Sequence, residues 1–283
     1  MKSPVNFLSL LFLSVLCLHL NGQSQKETFD FEFEGFVLNG VLNLPESEPK
    51  GLVLIVHGSG RTNAVAQDWH SDVRRQLVKS GYSVYMWDKM GCGNSEGTFD
   101  YNQTVQNSAD EVIAAIKTLR KKRIPGAKKI GLWGISRGGW INPLVIKKYK
   151  KIEFWISVSG VDEKENFKYL LAENLRINGY PKDSIDLLVG EWQAGTLIAH
   201  RGGSFEEYEA ATRNLWQNKF LLRFNNGVRP SKANYDAGLA AFMEQSLDEA
   251  TGLPVYIPNF ERVLSKVKCP VYPSLQRAPI LGI

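Results

Sequence analysis

One serine in this sequence is flanked by glycines in a pattern that can expose it for nucleophilic attack. Ser136 lies within residues 134–139 (GISRGG), between the apolar run 129–134 and the helical pattern of 137–150. A serine hydroxyl becomes a useful nucleophile when a tight turn holds it exposed, near a base and near donors that stabilise an oxyanion. Glycines two positions before and after the serine let a strand and a helix approach without a Cβ clash. The spacing predicts a nucleophile at Ser136; the alternative is a plain glycine-rich turn.

A second glycine-rich segment, residues 57–60 (HGSG), follows the apolar run 51–56 (GLVLIV). Acyl transfer needs two backbone N–H groups aimed at the developing oxyanion. One belongs to the residue after the nucleophile, here Arg137, and the other to an earlier loop. We therefore predict an oxyanion hole made by the amides of Ser59 and Arg137; the alternative is that the loop only shapes a turn. His57 is not predicted as the general base, because it lies in this loop and not after a late strand.

The elements that must position these residues alternate along the first half of the chain. Apolar runs predict buried strands at 51–56, 82–87, 129–134 and 154–158. Apolar residues at helical spacing predict helices over 67–79, 104–122 and 137–150. Alternating residues on either side of Asn39-Gly40 predict an antiparallel hairpin over 28–44. A hairpin followed by alternating strands and helices indicates an α/β fold with a mostly parallel sheet, covered on both faces.

The pattern changes to a helical one over residues 161–260. Ser204 and Glu207 fit a capping box, Ser231 fits a second N-cap, and no strand pattern appears before Val267. We predict a helical insertion in one domain and not a second independent domain. Its aromatic residues are expected either to roof an apolar pocket or to pack the helices onto the sheet: Trp192, Phe205, Tyr208, Trp216, Phe220 and Phe224.

The N-terminal segment has the features of a secretory signal peptide. Lys2 precedes the apolar run 7–20, and the small residue Gly22 follows it. The run is short for a membrane span, which needs roughly 20 residues. We predict that residues 1–22 are cleaved and that the protein is exported to the periplasm or outside the cell, with no stable membrane span after cleavage. The alternative is an uncleaved N-terminal anchor.

Composition narrows the possible classes of function. The chain has 283 residues, of which 43% are hydrophobic and 22% charged, enough for a substantial buried core. Lys plus Arg (34) exceed Asp plus Glu (29) without a basic block, so no nucleic-acid partner is predicted. The histidines and cysteines are scattered without metal-ligand spacing, and no phosphate loop is present, so neither a metal nor a cofactor is predicted.

Three segments together resemble a known family. They are the loop 57–60, the turn 88–95 (DKMGCGNS), with Lys89 where the family has Arg, and the segment 134–140 (GISRGGW). In order and spacing over about residues 28–160 the chain is similar to the α/β-hydrolases, in particular to secreted serine esterases and serine aminopeptidase-like hydrolases with a helical cap. The resemblance implies a doubly wound sheet with an inserted cap, an acyl-serine intermediate, and a triad in the order serine, acid, histidine. The acid Asp88 is predicted to be structural.

The last part of the chain departs from the family pattern. Residues 266–272 (KVKCPVY) predict the strand after the cap, beyond which the family usually has a Gly-x-x-Asp turn and a histidine. Here no Asp or Glu follows Glu261 and no His follows His200, so we predict a C-terminally incomplete hydrolase fold. Asp162 is a candidate acid, with a helix N-cap as the alternative. His200 is a candidate base, with a solvated surface histidine as the alternative.

These observations define a domain map and a set of expected functions. We expect a signal peptide (1–22), the first part of the core (23–160), the cap (161–260) and a return to the core (261–283). The expected activity is hydrolysis of a small carboxylic ester or, less favoured, a short peptide or other amide. The alternatives are an aminopeptidase-like peptidase and an inactive, truncated hydrolase that at most binds a ligand. Loss of the base would slow a serine hydrolase by several orders of magnitude.

Overall fold

The computed structural model describes residues 25–160, 166–224 and 229–274. The strands in chain order are β1 (Gln25–Thr28), β2 (Phe31–Phe33), β3 (Phe36–Leu38), β4 (Gly40–Leu44), β5 (Leu52–Val56), β6 (Ser83–Trp87), β7 (Ile130–Ile135), β8 (Ile152–Val158), β9 (Ser246–Leu247), β10 (Pro254–Val255) and β11 (Val271–Ser274). The helices are α1 (Ser71–Lys79), α2 (Val105–Lys121), α3 (Gly138–Lys148), α4 (Asn166–Ile177), α5 (Lys182–His200), α6 (Phe205–Ala211), α7 (Lys219–Phe224), α8 (Lys232–Met243) and α9 (Phe260–Leu264), with a 3-10 turn at Leu215–Gln217.

Seven strands form the central sheet in the order β1-β4-β6-β5-β7-β8-β11. The pairs β5–β6, β5–β7, β7–β8 and β8–β11 are parallel. Strand β4 runs antiparallel to both β1 and β6. The predicted α/β fold with a mostly parallel sheet is therefore confirmed.

The central strands bury both of their faces, which explains their unbroken apolar runs. In β5, Leu52 and Leu54 belong to the core on the side of α2 and α3, whereas Val53 and Ile55 belong to the core that packs against α1. Successive side chains of a strand point to opposite faces. A strand covered by helices on both sides must therefore be apolar at every position.

The N-terminal hairpin turns at a different position from the predicted one. Strands β2 and β3 pair antiparallel across Glu34 and Gly35, both of which have positive φ (53° and 82°). The predicted turn at 39–40 is wrong, because these residues link β3 to β4. Gly40 is needed there for close approach, since a Cβ would overlap the Tyr85 hydroxyl. The glycine that predicted a turn is thus required by side-chain packing.

Two further boundaries and one strand pair differ from the prediction. Helix α1 begins at Ser71 and not at residue 67, because Asp68 and His70 have left-handed backbone conformations. Strand β11 begins later than residue 266, because residues 265–267 form the hydrogen-bonded end of α9. The strand pair β9–β10 within the helical segment was not predicted; two residues per strand are too few to produce an alternating pattern.

The helical segment has its own small core. Its buried members come from α4, α5, the 3-10 turn and α7: Leu171, Leu175, Leu188, Leu215 and Leu221. The predicted capping box of α6 is confirmed, since the Glu207 amide donates to Ser204 Oγ (3.2 Å) and the Ser204 amide donates to the Glu207 carboxylate (2.9 Å). The predicted cap of α8 is also confirmed: the Asn234 amide donates to Ser231 Oγ (3.3 Å).

Membrane-spanning potential can be judged from helix length and hydropathy. Across residues 25–160, 166–224 and 229–274, every helix is too short or too polar to cross a bilayer.

The close approach at Gly40 predicts a specific loss of stability. We expect Gly40→Ala to lower the free energy of unfolding by about 1–3 kcal/mol, because the new methyl group overlaps Tyr85 and lies 2.7 Å from the Phe29 carbonyl. Gly190→Ala is the matched control, since this exposed position in α5 has no neighbour within 4 Å. The control should raise stability by about 0.5–1 kcal/mol. Urea unfolding measures both, and equal effects would contradict the packing argument.

Candidate active site

Ser136 lies on a sharp turn between β7 and α3. Its φ of 52° is left-handed, and the residue is exposed. The Ser136 amide donates to the Val158 carbonyl (3.0 Å), and the Ser136 carbonyl accepts from the Gly139 amide (2.8 Å). A left-handed serine costs roughly 1–2 kcal/mol, and such a conformation persists only where the surroundings impose it. Here β8 and the first turn of α3 impose it, and the serine is held toward solvent.

The glycines around Ser136 are required by the closeness of strand and helix, as predicted. A Cβ on Gly134 would overlap the Asn142 side chain and lie 2.9 Å from the Gly138 carbonyl. A Cβ on Gly138 would lie 2.9 Å from the Val56 carbonyl. Real Cβ atoms do not approach backbone oxygens this closely. The turn therefore tolerates no side chain at either position without a shift of the strands.

The loop 57–60 lies against this turn. A Cβ built on Gly58 would be 3.6 Å from Ser136 Cβ. Ser59 is exposed at the same edge of the sheet. Within the part of the chain that the structure describes, neither the Ser59 amide nor the Arg137 amide donates a hydrogen bond. The structure thus brings both predicted donor segments next to the serine and leaves their N–H groups available.

Lys89 anchors the loop 57–60 through two hydrogen bonds. Its Nζ donates to the Gly58 carbonyl (2.7 Å) and to the Gly60 carbonyl (2.8 Å). The side chain is only 8% exposed. Burial, together with the positive charge of Arg137, lowers the pKa of Lys89 to about 8. The sequence placed Lys89 in a family turn, but the contact with the loop was not predicted.

Asp88 has the structural role that was predicted for it. Its carboxylate accepts hydrogen bonds from the amides of Ala64 and Val65. Its carbonyl accepts one from the Ser95 hydroxyl (2.6 Å). Burial raises the pKa of the Asp88 carboxyl. The residue therefore fixes the segment after the loop 57–60 to the turn that carries Lys89.

The side chain of Arg137 anchors the other donor segment. The guanidinium is buried, with 9% exposure for the residue. It donates to the Ser108 hydroxyl (3.2 Å) and to the Gln103 carbonyl. Burial lowers the pKa of Arg137 from its usual range. The sequence pattern predicts a role only for the backbone of this residue; in the structure its side chain also links the start of α3 to the start of α2.

A buried carboxylate, Glu111, completes this polar layer and was missed by the sequence analysis. It accepts hydrogen bonds from Trp87 Nε1 (2.6 Å) and Gln103 Nε2 (2.9 Å). Burial raises the pKa of Glu111. The available signal was its position in α2, three residues after Ser108 and four before Ala115, both of which are buried.

The histidines 57 and 200 have partners other than Ser136. His57 is buried, its ring lies 4.7 Å from the Trp87 ring, and burial lowers its pKa well below the usual range. His200 lies at the end of α5, and its Nε2 is 2.9 Å from the Gln245 carbonyl. Among the residues that the structure describes, none hydrogen-bonds to the Ser136 hydroxyl. In the described part of the chain, His200 thus bonds to Gln245 and not to the serine.

Two of the predicted features lie outside the described residues: the candidate acid Asp162 and the signal peptide at 1–22. As for metals, no cluster of three or more His, Cys, Asp or Glu side chains with suitable geometry occurs in the described ranges.

A cavity of about 610 Å³ separates the core from the helical segment. Its walls come from both parts: Ser59, Lys89, Arg137 and Trp140 from the core, and Trp192, Tyr208, Trp216, Tyr235 and Phe242 from the helices. Ser136 itself is not among the lining residues, but its neighbour Arg137 and the loop at Ser59 are. Aromatic walls with a few convergent polar groups are typical of small-molecule sites.

Several known proteins are similar to this chain. The family model described as serine aminopeptidase, S33, matches residues 47–171. A thiohydrolase of Aspergillus aculeatus is 29% identical over 106 residues, which cover 38% of this chain and 32% of the relative. The match thus spans about a third of that relative's length.

Two solved structures are also similar to this chain. An esterase of Pyrococcus furiosus has a TM-score of 0.45 and 19% identity, with 58% of this chain and 63% of that one covered. A proline iminopeptidase of Mycobacterium smegmatis has a TM-score of 0.48 and 17% identity, with 87% and 80% covered.

The segment matched by the family model contains the three core segments around Ser136. It includes the loop 57–60, the turn 88–95 and the serine turn after β7. The sheet that carries these three segments is mostly parallel and covered on both faces. The described part of the chain thus has the α/β-hydrolase fold, and its residues 47–171 match the serine aminopeptidase, S33, family model.

Proposed function

We propose that this protein is a serine hydrolase that cleaves carboxylic esters through an acyl intermediate on Ser136. The observation that carries the proposal is the exposed hydroxyl on a left-handed turn, with the loop of Ser59 packed beside it. A strained, solvent-facing serine between a buried strand and a helix has no evident role in packing. Strain of this kind is concentrated at functional sites.

The proposed reaction has two steps. Ser136 Oγ attacks the ester carbonyl carbon and gives its proton to a base, and the carbonyl oxygen becomes an oxyanion. The amides of Ser59 and Arg137 donate hydrogen bonds to that oxygen. The bond to the alcohol oxygen then breaks, the alcohol leaves with a proton, and the acyl group stays on Ser136. Water attacks this ester, releases the carboxylic acid and restores the hydroxyl.

The proposed partners of Ser136 differ in their support. Asp162 follows β8 in the sequence, and we propose its carboxylate as the acid of the site. His200 is the alternative candidate for the base, and it can act only after its Nε2 leaves the Gln245 carbonyl. The remaining histidine outside the N-terminal segment and the loop, His70, packs its ring 5.4 Å from Trp133. Because the described histidines have these other partners, we infer that turnover is slow.

The second candidate function is ligand binding without catalysis. It is favoured by the contacts of the three described histidines, which are with Trp87, Trp133 and the Gln245 carbonyl. The cavity of about 610 Å³ supports binding in either case, since its volume and aromatic walls suit a small molecule. Covalent reaction at Ser136 separates the two candidates.

The proposed substrate is a small ester, with a short peptide as the alternative. The matching family model is described by an aminopeptidase activity, and the curated relative is named a thiohydrolase. Esters and peptides share the acyl-serine chemistry. The aromatic walls of the cavity favour an apolar acyl group, and we propose no nucleic-acid partner. We further propose that the helices between β8 and β11 act as a cap over this cavity.

We also propose that residues 1–22 direct export of the protein and are then removed. The support is the apolar run 7–20 behind Lys2 and the small residue Gly22.

Fluorophosphonate labelling tests the nucleophile. We expect the full chain to react at Ser136, and we expect Ser136→Ala to react at least about 100-fold more slowly, because the attacking oxygen is removed. Ser80→Ala, which changes an exposed serine at the end of α1, should react like the wild type. Intact-protein mass spectrometry measures the rates. Equal labelling of the wild type and Ser136→Ala would contradict the assignment, and no labelling of the wild type would favour ligand binding.

His200→Ala tests the alternative that His200 is the base. From the bond to Gln245 we expect the labelling rate to change by less than about threefold, with a loss of about 1 kcal/mol in unfolding free energy from the lost hydrogen bond. A loss of 100-fold or more in labelling, with the protein still folded, would instead identify His200 as the base.

Export is tested by the mature N-terminus. In a Gram-negative host we expect a periplasmic protein that begins near Gln23, as read by N-terminal sequencing. Leu13→Arg is the control, because a charge in the apolar run should keep the chain in the cytoplasm. Full-length protein in the membrane fraction would support an uncleaved anchor instead.

A further inference from the structure

The peptide unit between Gly58 and Ser59 accepts a hydrogen bond from a buried ammonium group. Lys89 Nζ donates to the Gly58 carbonyl at 2.7 Å and to the Gly60 carbonyl at 2.8 Å. A trans peptide is planar, and its C=O and N–H point in opposite directions. The Gly58 carbonyl and the Ser59 N–H belong to the same plane. A donor that fixes the carbonyl therefore also fixes the direction of the Ser59 N–H.

We propose that Lys89 is a positioning residue for ester hydrolysis, which holds the Gly58–Ser59 peptide so that the Ser59 N–H is aimed at the oxyanion formed on Ser136. This role rests on the proposed function. Lys89 itself touches neither the nucleophile nor the reacting carbonyl; it acts through the loop.

The burial of Lys89 indicates that its contacts with the loop have a functional role. The residue is only 8% exposed, and among the described residues no carboxylate forms an ion pair with it. Lysine is almost never buried without a partner, because removal of an ammonium from water is costly. Here both hydrogen-bond partners are carbonyls of one loop. A methionine of similar length would fill the same space without that cost.

The loop needs such an anchor because of its composition. Gly58 and Gly60 flank Ser59, and Gly60 has a left-handed φ of 82°. Glycine-rich segments have the largest conformational freedom of the backbone. An oxyanion hole accelerates a reaction only when its donors are already oriented before the charge develops. The two hydrogen bonds from Lys89, one to the carbonyl on each side of Ser59, supply that orientation.

The charge on Lys89 should make these two hydrogen bonds sensitive to pH. The titratable groups that face it are Arg137 on α3, Glu111 on α2, Cys92 in its own turn and His57 on the loop. Burial first, and then the charge of Arg137, lowers the pKa of Lys89 to about 8, while Glu111 and Cys92 act in the opposite direction. The charged donor is therefore present below about pH 8, and its hold on the loop weakens as the pH rises through that value.

Kinetics of Lys89→Met and Lys89→Arg test the proposal on the full chain with p-nitrophenyl butyrate. We expect Lys89→Met to lower kcat by about 10- to 100-fold, somewhat less than outright loss of a donor, with KM changed less than about threefold. The ground-state ester does not depend on the hole as the transition state does. Lys89→Arg should recover most of kcat, and the ratio of its kcat to that of the wild type should rise as the pH passes about 8.

Lys148→Met is the matched control, because its Nζ pairs with Asp110 on the surface, 2.8 Å away. It should leave kcat and KM unchanged. Thermal unfolding of each variant shows whether the fold is kept; should Lys89→Met unfold, the pH dependence of the Lys89→Arg ratio still decides, and a ratio that is flat across pH 6.5–9.5 would overturn the proposal.

Amide NMR separates failure of this proposal from failure of the proposed function. In ¹⁵N spectra we expect Lys89→Met to shift or broaden the Ser59 and Gly60 amide signals and Lys89→Arg to restore them, whether or not the protein hydrolyses an ester. An inactive wild type with this NMR response would refute ester hydrolysis but keep the role of Lys89 in the loop. Unchanged Ser59 signals in Lys89→Met, or equal losses in kcat and in substrate affinity, would overturn the proposal.

Discussion

The structure of the site depends on one constrained residue, the left-handed Ser136. Its amide is bound to the Val158 carbonyl of β8, and its carbonyl accepts from Gly139 in the first turn of α3. The close approaches at Gly134 and Gly138 leave no room for a side chain at either position. Because β7, β8 and α3 all meet at this turn, the packing of the parallel sheet determines the exposure of the hydroxyl. Sheet packing thus compensates for the backbone strain at the serine.

Beneath this turn lies a buried polar layer that organises the two segments beside Ser136. Lys89 binds the carbonyls on one side, and Arg137 binds Ser108 and Gln103 on the other. Glu111 is a buried carboxylate whose negative charge acts on both Lys89 and Arg137. It also accepts a hydrogen bond from Trp87 of β6. Such networks are stable only when most of their members are satisfied. The layer therefore links strand, loop and helix in an arrangement that an apolar core would leave loose.

The parts of the site that follow from local sequence were predictable. The serine turn, its glycines, the parallel sheet and the helix caps at Ser204 and Ser231 depend on residues close together in the chain. The contacts of Lys89 and Glu111 depend on which distant segments meet, and spacing carries no information about that. The prediction of the N-terminal turn was wrong for a related reason. Glycine is required at position 40 by the closeness of Tyr85, which lies on another strand. A tertiary contact therefore gave the sequence the pattern of a local turn.

The central claim, that the Ser136 hydroxyl faces two amide donors, is tested most directly by a crystal structure of the phosphonylated protein. A covalent bond from Ser136 Oγ to phosphorus is expected. This arrangement of donors requires a defined position of the phosphonyl group. A phosphonyl oxygen is expected about 3 Å from the amide nitrogens of both Ser59 and Arg137. Phosphorus attached to another residue, or a phosphonyl oxygen turned toward solvent and away from both amides, would contradict the claim.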